Sequence, residues 1–311
     1  MYIIKIIGGL NTLQTKRIEE ALHGVAFTTA TPFSTNLERI HTDAINGNLE
    51  YLIDRGAKLL LPCGNTGEFY SLSQKEWFEV VETTLNTAEG EAVVMPGVGG
   101  SITTAKEQAE YAAESGADAV MIMYPQHVFK SEEGMLNYIR EIAKAAAPIG
   151  VVLYKKGPLM TDDVLEKLAG RDNIVGVKYA YGRIVDFSRT VFRHGNSFIW
   201  SCGTAERFAP FYFYAGATGF TTGLGNFAPR ISLALYDALA GNDSKKTMNI
   251  VEKITPFENF RESRGKANNV PAVKAAMDHF GLQGGDCRPP IHCLNKKEKK
   301  RIGEIVSAWD I

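Results

Sequence analysis

Cysteine is scarce in this 311-residue chain: Cys63, Cys202, Cys287 and Cys293 are all there are, and no two form a CxxC pair. That usage excludes a disulfide framework or a cysteine zinc site and fits a reducing cytoplasm. The six histidines are scattered without an HxxxH or HExxH spacing, so no metal is expected. No stretch approaches the ~20 apolar residues of a membrane span. The opening "MYIIKIIGGL" is interrupted by Lys5 and lacks the longer apolar region and cleavage site of a signal peptide. A formal net charge of -1 leaves no global field to recruit nucleic acid or an anionic membrane. The basic "KKEKKR" from Lys296 to Arg301 contains Glu298 and reads as a solvated helix face. A small molecule is the expected partner.

Apolar runs bounded by turn residues are plentiful. They start at Gly24, Ala57, Glu91, Ala117, Ile149, Asn173, Ser197 and Ala217. Most are too continuously apolar for half-exposed antiparallel strands and fit parallel strands covered by helices. Between them lie helical spacings over 37–55, 74–88, 103–115, 132–146, 161–169, 184–194 and 205–214, several opened by N-caps such as Ser73, Ser131 and Thr161. This alternation predicts an α/β chain folded as a (β/α)8 TIM barrel with a C-terminal helical extension. A doubly wound sheet is the alternative, but it would usually carry GxGxxG or a P-loop, and neither is present. The expected organisation is a lead-in over residues 1–23, a catalytic barrel over 24–229 and a helical region over 230–311.

Barrel chemistry sits at the C-terminal ends of the strands. The second run ends in "CGNTGEFYSL", where Gly64 and Gly67 permit a tight turn and Asn65 with Thr66 can form a small anion cradle suited to a carboxylate; a loop that merely needs glycine is the other reading. The fifth run ends with Tyr154 and the sixth, "NIVGVKYA", with Lys178, which makes the two neighbours near one opening. A desolvated lysine amine can attack a ketone and form a Schiff base, and a phenol within reach can shuttle protons. A snorkelling lysine and a core-edge tyrosine are the structural alternatives.

Four stretches in order, "GNTGE", "VVLYKK", "NIVGVK" and "GLGNFAP", resemble the dihydrodipicolinate synthase / N-acetylneuraminate lyase superfamily over nearly the whole chain. The resemblance implies a class I aldolase barrel, usually tetrameric, that needs no cofactor beyond its covalent lysine imine. It matches Lys178 to the Schiff-base lysine, Tyr154 to the proton-shuttling tyrosine, Asn65 and Thr66 to the pair holding the carboxylate of a 2-oxo acid, and Thr221 to the pocket lining.

The departures are specific. Dihydrodipicolinate synthases resemble "GTTGE", with a second tyrosine donated across a dimer and an arginine for the second substrate. Here Asn65 replaces the first threonine, His127 in "YPQHVF" stands nearest the second tyrosine's register, and the arginine position falls near Leu159. "GVGGS", "TAE" (Thr204 to Glu206) and "FRESRGKANNVPAVKA" are similar instead to 5-dehydro-4-deoxyglucarate dehydratases, whose hydroxylated substrate would need polar groups at the mouth. Lys156, on the same side of its strand as Tyr154, is one candidate, and a surface lysine is the other reading. The sequence therefore predicts a cytoplasmic Schiff-base lyase acting on a 2-oxo acid, pyruvate-type or sugar acid, as a homo-oligomer, dimer or tetramer. A true 4-hydroxy-tetrahydrodipicolinate synthase and a non-catalytic 2-oxo-acid-binding barrel are the alternatives.

Overall fold

All eight apolar runs become parallel strands, and the third does so in two pieces. In chain order they are β1 (Val25–Thr28), β2 (Leu59–Leu61), β3 (Val93–Val94), β4 (Gly97–Val98), β5 (Ala119–Ile122), β6 (Gly150–Lys155), β7 (Ile174–Tyr179), β8 (Ile199–Cys202) and β9 (Gly219–Thr222). The computed structural model describes residues 12–171 and 173–309. The run "MYIIKIIGGL", the first part of the predicted lead-in, lies outside them.

The strand order is β3-β2-β1-β9-β8-β7-β6-β5-β4. Its two ends are halves of one segment divided at Met95 and Pro96, which closes the sheet into an eight-stranded barrel. Met95 and Gly97 donate their N–H groups to Leu60 and Pro62 on the β2 side, both at 2.9 Å, while the Pro96 carbonyl accepts from Met121 on the β5 side, also at 2.9 Å. Proline has no N–H to give but keeps its acceptor, so the run is interrupted as a strand and the barrel still closes.

The covering helices are α1 (Thr12–Leu22), α2 (Thr42–Asp54), α3 (Gln74–Ala88), α4 (Ile102–Glu114), α5 (Glu132–Ala146), α6 (Asp162–Glu166), α7 (Ile184–His194), α8 (Ala209–Tyr214) and α9 (Pro229–Ala240). Ser73, Ser131 and Thr161 each cap as the sequence suggests, Ser73 in a capping box with Glu76. The helix predicted from Leu37 starts later, because Leu37 has φ 61° in a turn closed by the Phe33–Ile40 bridge, and His41 is the cap. Helix α1 lies across the N-terminal ends of the strands: Ile18 and Leu22 are buried, and Arg17 bonds Asp118 at 2.8 Å and the carbonyls of Gly90 and Ala92. One mouth is thereby covered.

Three further helices, α10 (Ser244–Glu262), α11 (Asn269–His279) and α12 (Lys296–Val306), lie at the other mouth. Their own apolar cluster contains Phe257, Val273, Met277, Ile302, Val306 and Trp309, and it takes in Ala30 just after β1 and Leu224 and Phe227 just after β9. Helix α9 packs on both β1 and α10. The basic run becomes the opening turns of α12, with Ile302 and Val306 buried beyond it. No helix among the described residues is long and apolar enough to cross a membrane.

Candidate active site

Tyr154 on β6 pairs in register with Lys178 on β7, so the two side chains leave adjacent strands toward the same face. The residue on either side of each points outward: Tyr179 packs on Phe187 of α7 at 4.9 Å between ring centroids, and Lys155 donates to the Met160 carbonyl. Strand alternation therefore sends Lys178 and Tyr154 to the interior, and Lys156, one residue past the end of β6 and exposed, lies on their side at the mouth. The Lys178 ammonium nitrogen lies 4.5 Å from the centre of the Tyr154 ring, and Lys156 Nζ lies 5.8 Å from it.

Lys178 is 5% exposed. Burial first and the Lys156 charge second push its pKa down from 10.5 to about 7, with buried Cys202 acting the other way. A large share of neutral amine is therefore present at physiological pH. Burial also raises the Tyr154 phenol, against which the Asn65 amide acts by donating to the Tyr154 oxygen at 3.0 Å. That bond leaves the phenolic proton free to point elsewhere.

The loop after β2 approaches from the opposite side. A Cβ on Gly64 would lie 2.6 Å from Thr28 Cγ2 and one on Gly67 2.8 Å from the Thr29 carbonyl oxygen. Neither glycine has a positive φ, so close packing on the β1 end is what requires them. Glu68, next along, is buried and held by Lys274 of α11 at 2.6 Å and by the Arg288 N–H at 2.9 Å. A paired, buried ion bridge thus fixes Asn65 and Thr66 from behind.

Asn65, Thr66, Tyr154, Lys178, Thr221 and Lys156 all line one cavity of about 230 Å³. That is below the ~300–1,000 Å³ usual for drug-sized ligands and suits a small metabolite. Thr221 donates to the Cys202 carbonyl at 3.4 Å. His127 is not among these residues. It sits on an exposed loop, accepts at Nδ1 from the Phe129 N–H at 3.0 Å, and lines a separate surface cleft with Ser101 and Tyr138. His127 stands nearest the register of the second tyrosine, which the resemblance has donated across a dimer; within one chain the loop after β5 turns outward.

Two residues that sequence reasoning did not assign complete the wall. Glu206, in the short turn before α8, accepts from the Thr222 hydroxyl and from the Leu224 N–H at 3.1 Å. Arg261 from α10 lies 3.5 Å from Glu206 and 2.8 Å from Glu258, and it donates to Asn269 at 3.1 Å. Glu206 lies within "TAE" and Arg261 opens "RESRGK", so the motifs held the residues but not their pairing. A third, Tyr70, donates to the Tyr124 carbonyl at 2.8 Å and is near enough to Tyr154 to disfavour its ionisation.

A protein of Oceanobacillus iheyensis named "Probable 5-dehydro-4-deoxyglucarate dehydratase" is 29% identical over 284 residues, covering 89% of this chain and 91% of its own. The 4-hydroxy-tetrahydrodipicolinate synthase of Methanospirillum hungatei is 29% identical over 285 residues, covering 90% of this chain and 97% of its own. The crystal structure of dihydrodipicolinate synthase from Bacillus clausii superposes with a TM-score of 0.90 at 36% identity, over 94% of this chain and all of that one. With a desolvated lysine at the end of the sixth barrel strand and a family model matching residues 21–309, the chain belongs to the dihydrodipicolinate synthetase family.

Proposed function

We propose that the chain is a Schiff-base lyase in which Lys178 captures the C2 carbonyl of a 2-oxo acid. The observation that carries this is the buried Lys178 amine, its pKa near 7, over the Tyr154 ring in a metabolite-sized cavity. The amine nitrogen forms a double bond to C2 and the carbonyl oxygen leaves as water. Tyr154, its oxygen held by Asn65, supplies and recovers the protons; Thr66, the second Asn65 amide hydrogen and the loop N–H groups receive the C1 carboxylate; Thr221 closes the wall. The protonated imine then serves as the electron sink for dehydration, decarboxylation or carbon–carbon cleavage. Such chemistry calls for no added cofactor.

The sugar-acid dehydratase reading is the better supported, because polar side chains (Lys156, Thr204, Glu206, Lys266) line the cavity and, by the family resemblance, the position of a synthase's second-substrate arginine falls near Leu159. The synthase reading rests on the named relatives of that activity. Borohydride reduction in the presence of pyruvate or a 2-oxo sugar acid, followed by mass spectrometry, should place the adduct on Lys178, and Lys178→Ala should abolish it. No adduct with any 2-oxo acid would favour a non-catalytic binding barrel. Turnover of 5-dehydro-4-deoxyglucarate against pyruvate plus aspartate semialdehyde decides between the enzymes. The exposed Val128 and Phe129 beside His127 support a homo-oligomer that covers this loop.

A further inference from the structure

The turn "GNTGE" is held from behind by the connection between α11 and α12. Its last residue, Glu68, meets Lys274 at 2.6 Å, the Arg288 N–H at 2.9 Å and the thiol of Cys287. Lys274 also donates to the Asp286 carbonyl at 3.1 Å, and the Arg288 side chain donates to the carbonyls of Leu37 and Ser71 at 2.8 and 2.9 Å and to Glu76 at 2.8 Å. Residues 286–288 are therefore a clamp on the base of the turn that carries Asn65 and Thr66. Cys287 is buried in this clamp and takes no part in the chemistry of Lys178. Burial is the main cause that raises its pKa; the Lys274 charge opposes the rise, and Glu68 and Cys293 add to it.

A second sulfur returns to the same place. The chain reverses over residues 288–291, where the Ile291 N–H donates to the Arg288 carbonyl at 3.0 Å, and the Cys293 thiol then donates to the Cys287 carbonyl at 3.6 Å. Cys293 is exposed, whereas Cys63, Cys202 and Cys287 are all buried. The Lys299 ammonium of α12 is favoured first by its bond to Asp286, at 3.0 Å, and last by the Cys293 sulfur, so a cation stands beside the exposed thiol. An accessible sulfur next to a buried one is the arrangement in which one thiol meets an oxidant and the other resolves the product.

We infer that Cys293 and Cys287 are an oxidant-responsive pair: a hydroperoxide oxidises Cys293, Cys287 closes a disulfide onto it, and the clamp on the carboxylate-binding turn is released. With hydrogen peroxide, the Cys293 sulfur takes one oxygen as the O–O bond breaks; the sulfur is oxidised to a sulfenic acid and the peroxide is reduced to water. The Cys287 sulfur then displaces the sulfenic oxygen. An S–S bond forms, the S–O bond breaks, and the oxygen leaves as water with the Cys287 proton. Because one sulfur is buried against Glu68 and the other exposed, they join only if Cys287 leaves Glu68, and the adjoining Arg288 N–H moves with it. The disulfide stands on the two sulfurs alone, while its effect on substrate capture rests on the imine reading of Lys178.

The test treats the full chain with hydrogen peroxide, alkylates the remaining thiols and weighs the peptide over 275–296 without reduction. It should be lighter by two hydrogens and unalkylated, with Cys63 and Cys202 still free. Cys293→Ser should abolish closure, and Cys287→Ser should leave a sulfenic acid on Cys293 that dimedone traps. The pyruvate concentration giving half-maximal labelling of Lys178 is read with cyanoborohydride, which spares disulfides. It should rise by about three- to tenfold on oxidation, the effect of losing about one hydrogen bond. Dithiothreitol should restore it, and peroxide should not move it in Cys293→Ser. Hydrogen exchange over residues 64–71 should quicken in the disulfide form. Free thiols at both positions after peroxide, or a sulfinic acid on Cys293 beside a free Cys287, overturn the pair. A disulfide that leaves labelling and exchange unmoved overturns the release of the turn, and so does an equal rise in Cys293→Ser. Absence of any adduct in the reduced protein overturns the imine reading instead, and the exchange of residues 64–71 still decides whether the clamp opens.

Discussion

Lys178 is costly where it stands. A fall in pKa from 10.5 to about 7, at about 1.36 kcal/mol per unit, puts the penalty for the charged form on the order of 4 kcal/mol at neutral pH. The unfolded chain keeps this proton up to its ordinary pKa while the folded chain releases it near 7. The unfolded state therefore binds more protons between those values, and stability rises with pH across the window. Lys178→Met should accordingly stabilise the fold by ~2–4 kcal/mol at pH 7, with the gain shrinking toward pH 10, as read from urea unfolding at a series of pH values. Equal stability of the two proteins across that range would show that the amine is not desolvated. At the neighbouring strand end, Tyr154→Phe keeps the ring under the Lys178 amine and removes only the hydroxyl. It should retain the fold and the reduced adduct while turnover falls by ~10²–10⁴, the range for general acid–base catalysis.

At the scale of elements, the site depends on how α10 and α11 dock on the loops after β2 and β9. Arg261 reaches down from α10 between Glu206 and Glu258, all three nearly inaccessible to water. Burial raises the pKa of Glu258, and Arg261 opposes that rise. Removing the guanidinium would leave two buried carboxylates without their cation, and breaking such a pair costs ~3–5 kcal/mol. Arg261→Met should lose that much stability at pH 7. The loss should narrow as pH falls toward 5, because protonation of Glu258, whose pKa burial raises, relieves the repulsion. Chemical denaturation at both pH values measures it, and a loss that grows on acidification would contradict the network. The Glu68–Lys274 bridge serves the same docking from α11, which is why the acid closing "GNTGE" is structural while Asn65 and Thr66 face the cavity.

Across the whole molecule, the barrel and the helical region share their boundary instead of meeting at a linker. Phe227, at the end of the last strand's loop, stacks on Phe280 and on Trp309, both at 5.9 Å between centroids. The rim of the barrel is thus part of the core of the helical extension, and the cavity takes its wall from both. Outside this body, Val128 and Phe129 remain 85% and 86% exposed. Their exposure is the reason to expect a neighbouring subunit there. Phe129→Asp should lower the sedimentation coefficient toward that of a monomer, and an unchanged coefficient would remove this loop from any interface.

Periodicity determined the sequence of strands and helices, because a buried parallel strand must be apolar almost throughout and each helix must show one apolar face. It also set Tyr154 and Lys178 side by side, since a barrel's strand order follows chain order and polar groups ending apolar strands must gather at one rim. The "GNTGE" turn was legible for a similar reason: its glycines answer a local close approach. Three things were decided only in three dimensions. Pro96 splits a strand without opening the barrel, His127 turns away from the site, and Arg261 and Lys266 enter it from a region far along the chain. Each depends on which groups are brought into contact across long sequence separations. A single sequence records the residues that meet, while the packing of α10 and α11 over the mouth determines whom they meet and which charges remain unpaired.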